Sequence, residues 1–159
     1  LAAKREKSAE ISVNRKALRD YHILDRLEAG IELKGTEVKS IRAGKVNVNS
    51  AFARVENNQL WLYDVDIQPY ERASHEQHES KRVRRLLLHR QEIDKLMGKI
   101  QVQGLAVIAL RMYWKDHLVK VELGVGKGKL AHDKRDDLKA KVVKRETDRE
   151  VSAFNKRRG

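Results

Sequence analysis

The chain contains no cysteine. That excludes disulfides, thiolate-bound metals and cysteine nucleophiles. Aromatic residues make up only 5% of it, so its core must be largely aliphatic. No apolar run approaches the roughly 18 residues that a membrane-spanning helix requires. The basic C-terminal segment also lacks the Trp/Phe/Leu face of an interfacial helix, so no membrane partner is expected. Serine-nucleophile motifs are absent, and Asp25, Glu28 and Glu32, though close in sequence, are not marked as a catalytic dyad. Nothing here points to an enzyme or to a cofactor. The opening Leu1-Ala-Ala-Lys-Arg-Glu-Lys7 has no apolar signal-peptide stretch, and the expected compartment is the cytoplasm.

What the chain has in excess is positive charge. Among 159 residues, 35 are Lys or Arg and 23 are Asp or Glu, a formal net charge of +12. A domain this basic points to a polyanion, nucleic acid first. Each cation placed at a phosphate releases counterions, so such binding would depend steeply on salt.

The length suits one domain with a tail. Residues 1–9 are charged and aperiodic and read as a mobile arm, and Ile11 and Val13 open a short extended entry. Residues 21–33 alternate as a strand does, with Tyr21, Ile23, Leu27, Ala29, Ile31 and Leu33 on one face and Asp25 the polar exception. Gly30 is the expected bulge in so long a strand. At Gly35 the alternation stops. Thr36 is the expected cap of a short helix, Glu37 suits its N-terminal turn, and Gly44 can close it. Val38 and Ile41 share one face of that helix, while Lys34, Lys39, Arg42 and Lys45 cluster around it.

Strands follow at residues 49–56 and 59–67, joined by Asn57-Asn58, which tolerate a left-handed tight turn. Trp61, Tyr63, Val65 and Ile67 alternate along the second, and Pro69 ends it. Residues 71–83 read as a polar loop, 84–88 as a brief strand and 90–100 as a helix with Ile93, Leu96, Met97 and Ile100 on one stripe. A second hairpin covers 105–114 and 117–125. The expected architecture is mainly β: an antiparallel OB-type barrel of about six strands over residues 10–125, with two or three helices. Residues 126–159 form a basic C-terminal tail with a thin apolar stripe, expected to be disordered when free and helical on a partner.

Two constellations fall short of their motifs. His75-Glu-Gln-His78 has i, i+3 spacing and no apolar face, unlike a zinc-protease helix, and reads as a solvated loop. Gly124-Val-Gly-Lys-Gly128 follows a strand but lacks the dinucleotide spacing and any Gly-Lys-Ser/Thr, and reads as flexible backbone before the tail. The cations do better. They recur at the short helix, in Lys81-Arg-Val-Arg-Arg85 and through the tail, with Trp61, Tyr63, Tyr70, Tyr113 and Trp114 as candidate stacking surfaces, at least half of them core by their alternation.

Several blocks in a fixed order then resemble one family. These are Asn14-Arg-Lys-Ala17, Tyr21 through Glu28-Ala-Gly-Ile31, Gly35-Thr-Glu-Val-Lys-Ser-Ile-Arg-Ala-Gly44, Leu60-Trp-Leu62, Ile67-Gln-Pro-Tyr70, Arg85-Leu-Leu-Leu88, and Gly128-Lys129 through His132-Asp-Lys-Arg135. Together they resemble the SmpB family of tmRNA-binding proteins. The resemblance implies an OB-fold barrel that binds the tRNA-like part of tmRNA and brings the charged RNA to stalled ribosomes. It implies as partners tmRNA, the ribosome (chiefly small-subunit RNA) and, through the charged RNA, elongation factor Tu, with the protein a monomer. It assigns tmRNA binding to Asn14, Glu28 and Leu87, and places His132, Asp133, Lys134 and Arg135 in the ribosomal decoding region, with the tail in the empty message channel. Where the family carries two lysines ahead of the His-Asp-Lys-Arg block, this chain has Lys129-Leu130. A general single-strand nucleic-acid-binding OB module is the alternative reading.

Overall fold

The computed structural model describes residues 8–70 and 77–130, together with Arg135, Lys139, Lys144, Arg145 and Arg149. The chain divides into two compact units, residues 1–127 and 128–159. The five described tail positions are helical and exposed. His132, Asp133 and Lys134 lie outside the described residues.

The first unit runs β1 (Ser8–Val13), α1 (Ala17–Asp20), β2 (Tyr21–Ile31), α2 (Gly35–Arg42), β3 (Val46–Asn47), β4 (Phe52–Glu56), β5 (Gln59–Tyr63), β6 (Asp66–Ile67), β7 (Arg84–Leu87), α3 (Arg90–Gln103), β8 (Ala106–Lys115) and β9 (Leu118–Gly128). The strands β4–β5–β7–β2–β9–β8 pair in that order, and β8 pairs back onto β4, closing a six-stranded barrel. One edge of β8 is shared: β4 takes its Val107–Ile108 end, and β1 takes Arg111–Lys115. Closure removes the free edges that an open sheet would expose.

The core is aliphatic, as the shortage of aromatics requires. Leu60, Leu62, Met112, Val121 and Leu123 are wholly enclosed, and α2 adds Ile41. Each such side chain stabilises the fold by about 1.5–3 kcal/mol. The length of β2 has a physical reason: it serves two clusters. Tyr21 and Ile23 pack on Ala17, Ile108 and Leu110, whereas Leu27, Ala29 and Ile31 belong to the main core. Between them Asp25 is exposed and held by Lys99 of α3 at 2.6 Å, so the polar exception on the apolar face costs no burial.

Asn57 and Asn58 both adopt positive φ, 52° and 60°, and make the two-residue turn between β4 and β5. Gly44 closes α2 at φ 74°, and the stripe of α3 buries Ile93 and Leu96. Elsewhere the structure departs from expectation. The entry strand begins at Ser8, within the expected arm, and β9 continues to Gly128. The expected strand over 59–67 is broken by Asp64 at φ 59°. That left-handed residue reverses the alternation: Leu60 and Leu62 point inward before it, Val65 and Ile67 after it, and Trp61 and Tyr63 are left half-exposed. Helix α2 starts at Gly35 with Lys34 as its N-cap, so Thr36 is inside the helix and not its cap. The β1–β8 ladder shifts register between Glu10 and Ser12 and the β8–β9 ladder between Ala109 and Arg111, whereas in the β2–β7 ladder Gly30 pairs with Leu87 without a shift.

Gly124 and Gly126 lie inside β9 and are not a flexible hand-over to the tail. A Cβ on Gly126 would sit 2.0 Å from the His22 carbonyl oxygen of β2. The glycine is required by close strand approach where the barrel shuts.

Candidate nucleic-acid interface

Side chains alternate across a strand, so the outer face of the barrel wall β2–β9–β8 is set by parity. It carries Arg26 and Glu28 from β2, Lys120 and Glu122 from β9, and Arg111, Tyr113 and Lys115 from β8. These form one continuous lattice. Glu122 accepts from Arg26 at 3.2 Å and from Arg111 Nε at 3.1 Å. The Arg111 guanidinium lies 4.2 Å from the Tyr113 ring centroid, a cation–π contact. The Tyr113 hydroxyl donates to Glu28 Oε2, and Lys115 Nζ donates to Glu28 Oε1 at 3.2 Å. Lys120 is close enough to act on Glu28 through its charge.

This setting decides the state of Glu28. The Tyr113 hydroxyl, with Lys115 and Lys120, holds its carboxyl below the ordinary glutamate range against a smaller opposing effect of burial. The Tyr113 phenol moves the other way, pushed up by its own burial and by the Glu28 carboxylate. Glu28 is therefore a carboxylate at neutral pH, and it remains partly open to solvent. Leu87 lies beside it. Gly30, two residues along β2, pairs with Leu87 on β7, and a Cβ on Gly30 would meet the Leu87 Cβ at 3.2 Å. Leu87 is 46% exposed, an apolar side chain on a charged wall. A carboxylate acceptor, flanking ammoniums and an exposed apolar contact are a set able to meet base donors, phosphates and an unstacked base face.

The cations around α2 divide. Lys34, Lys39 and Arg42 are exposed, and Lys39 Nζ lies 5.5 Å from the Tyr70 ring centroid. Lys45 is half-buried, and its backbone ties the helix exit to Ser40 and Gln68. The helix itself is pinned from below. Glu37 is fully buried, and it accepts from the Lys34 N–H at 2.8 Å, from Arg82 at 2.5 Å and from Arg84 at 2.5 Å. Burial opposes the charge on Glu37, but these donors outweigh it and its pKa lies below the ordinary value.

Three readings of the sequence change here. Arg84, part of the supposed basic patch, is wholly enclosed and donates to Glu37 and to the Val65 carbonyl, so it cannot meet a phosphate. His78 is not in a solvated loop: it is buried, with Nδ1 2.9 Å from the Thr36 hydroxyl and Nε2 2.8 Å from the Ile67 carbonyl. Asn14 is buried, donating to the Ala109 carbonyl at 2.8 Å and accepting from the Ala17 N–H at 3.2 Å. In this structure Asn14 fastens α1 to β8. The structure puts Glu28 and Leu87 on adjacent strands, Leu87 paired with Gly30 two residues from Glu28, and leaves Asn14 in the interior. Arg135 is helical and exposed, and Leu130 is largely exposed.

Sequence reasoning missed Tyr113, Lys115 and Lys120 as neighbours of Glu28. Arg111, Tyr113 and Lys115 fall on one face of β8 by their spacing, but nothing local shows that β9 carries that face against β2.

A closed, basic antiparallel barrel with such a wall is an OB-type binding module by architecture. The chain belongs to the SmpB protein family, whose profile matches residues 11–153. The SsrA-binding protein of Carboxydothermus hydrogenoformans is 50% identical over 143 residues, covering 90% of this chain and 96% of that one. The SsrA-binding protein of Desulforudis audaxviator is 50% identical over 148 residues, covering 93% and 94%. A chain from a solved structure described as "tmRNA-SmpB: a journey to the center of the bacterial ribosome" is 47% identical, with a TM-score of 0.62, covering 75% of this chain and 84% of that one.

Proposed function

We propose that this chain is a tmRNA-binding protein of trans-translation, acting at the ribosome. The observation that carries the reading is identity of about one residue in two with SsrA-binding proteins along nearly the whole chain. The barrel supports it with the wall that carries Glu28, its flanking cations and, one strand over, the exposed Leu87. In this reading the tRNA-like part of the RNA lies against that wall. Glu28 accepts from base amino groups or a ribose hydroxyl, Leu87 covers an unstacked base, and Lys34, Lys39, Arg42 and Lys45 meet phosphates. Asn14 contributes by holding the β1–α1 corner that supports β8.

The tail completes the reading. His132, Asp133, Lys134 and Arg135 occupy the decoding region of a stalled ribosome, and the segment beyond them enters the empty message channel as a helix. The protein binds and positions its RNA and catalyses no step; it works in the cytoplasm, and elongation factor Tu joins through the charged RNA. No described helix is long and apolar enough to cross a membrane.

Competition binding of tmRNA against bulk tRNA and an unrelated single strand of equal length, at several salt concentrations, tests this. The expected result is a preference for tmRNA that persists at moderate salt. Equal affinity for all three, or a preference for the unstructured strand, overturns it in favour of a general single-strand module.

A further inference from the structure

We infer that Tyr113 is a positioning residue for RNA recognition: its hydroxyl fixes the Glu28 carboxylate in the one orientation that the RNA reads. This rests on the wall of Glu28 and Leu87 being the tmRNA face.

Tyr113 is only 4% exposed, so it offers the RNA little surface of its own. Its ring is covered on one face by Arg111, which Glu122 orients in turn. The hydroxyl then arrives at Glu28 Oε2 from a fixed direction, while Lys115 takes Oε1. A glutamate on a strand surface otherwise turns freely about its terminal torsion. Here each oxygen is engaged once by the protein. A carboxylate has about four acceptor positions, so acceptor capacity remains on both oxygens. That arrangement favours a ligand group presenting two adjacent N–H or O–H donors, as an unpaired base edge does. Ordering the acceptor beforehand lowers what binding costs in lost side-chain freedom. The Lys115 and Lys120 ammoniums flank the same carboxylate and cancel its repulsion of the phosphate chain.

The test uses the full chain and tmRNA, with Tyr113→Phe, Glu28→Ala and the double substitution. Tyr113→Phe keeps the ring and its Arg111 contact and removes only the donor. Its tmRNA affinity should fall about tenfold, the scale of one hydrogen bond to a charged group. In the Glu28→Ala background, where no acceptor remains for the hydroxyl, the same change should alter affinity by about twofold or less, because residues acting through one another are not additive. The ¹³C titration of the Glu28 carboxyl in free Tyr113→Phe should move up toward the ordinary value near 4.5, which a merely structural role for the ring would not produce. All affinities are read below the melting temperature of the least stable variant. Unchanged affinity in Tyr113→Phe, an equal loss with and without Glu28, or an unmoved Glu28 titration each overturns the proposal. If wild type itself fails to prefer tmRNA, the functional reading falls; if wild type prefers it and Tyr113→Phe does so equally, only the positioning role falls.

Discussion

Glu37 and Arg84 are both fully enclosed, and the Arg84 Nε lies 2.5 Å from a Glu37 carboxylate oxygen. The pair joins three segments that are distant in sequence. Glu37 belongs to α2, Arg84 opens β7, and the Arg84 guanidinium also donates to the Val65 carbonyl at 2.8 Å and the Ser80 carbonyl at 3.1 Å. With Arg82 on the other oxygen, the helix that displays Lys39 and Arg42 is anchored by an ion pair beneath it. Such a pair adds little over a well-packed apolar substitute, but removing one member strands a charge.

Arg84→Ala should therefore destabilise the protein by about 3–5 kcal/mol. Urea unfolding measures it. A loss of about 1 kcal/mol or less would mean that water reaches Glu37 and solvates it.

The same site makes stability depend on pH. The folded-state pKa of Glu37 is depressed below its ordinary 4.5. Its contribution is then fully present above about 4.5 and is lost as pH falls through the depressed folded value. Thermal unfolding followed from neutral to acid pH should show a steeper drop in Tm for wild type than for Glu37→Gln below that point. Parallel curves would show that Glu37 does not link protonation to folding.

Two glycines should respond in opposite directions. Gly126→Ala places a methyl 2.0 Å from the His22 carbonyl oxygen and forces β2 and β9 apart. Its expected cost is at least the ~1–3 kcal/mol of an overpacked core. Gly98 lies on the exposed side of α3 with nothing within 4 Å of an added Cβ. Gly98→Ala should stabilise by about 0.5–1 kcal/mol through helix propensity. Melting temperatures of the two variants provide the comparison.

Lys39 and Arg42 are exposed, so Lys39→Ala and Arg42→Ala should leave stability within about 0.5 kcal/mol of wild type. If both meet phosphate, each substitution reduces the slope of log affinity against log salt by about 0.7–0.9. A salt titration of tmRNA binding reads this directly, and an unchanged slope would place both cations in water.

Leu87 separates recognition from folding. Because the side chain is 46% exposed, Leu87→Ala should change Tm little. Loss of tmRNA affinity should approach the lower end of the ~1.5–3 kcal/mol for burying a leucine. Full affinity at fixed salt would remove Leu87 from the interface.

Much of the barrel was legible because its signals are local. The Asn57-Asn58 turn, the Gly44 terminus of α2, the stripe of α3 and the alternation of β2 depend on residues within a few positions of one another. The break at Asp64 was not legible, because aspartate tolerates a left-handed conformation without demanding it. The glycines of β9 misled for a similar reason: flexible backbone and a tight strand crossing use the same residue, and only the position of His22 distinguishes them.

Composition and ordered motifs alone determined an aliphatic, basic, cysteine-free β-barrel and its family resemblance. They also marked Glu28 and Leu87, which the structure leaves exposed on one wall. Tertiary structure alone decided which charges face outward. Arg84 and Lys39 look alike in the chain, yet one is sealed against Glu37 and the other stands in solvent. Tyr113 reaches Glu28 across 85 positions of sequence. The physical reason is that the fate of a charge is set by its partners and its burial, and closure of the barrel brings those partners from distant strands.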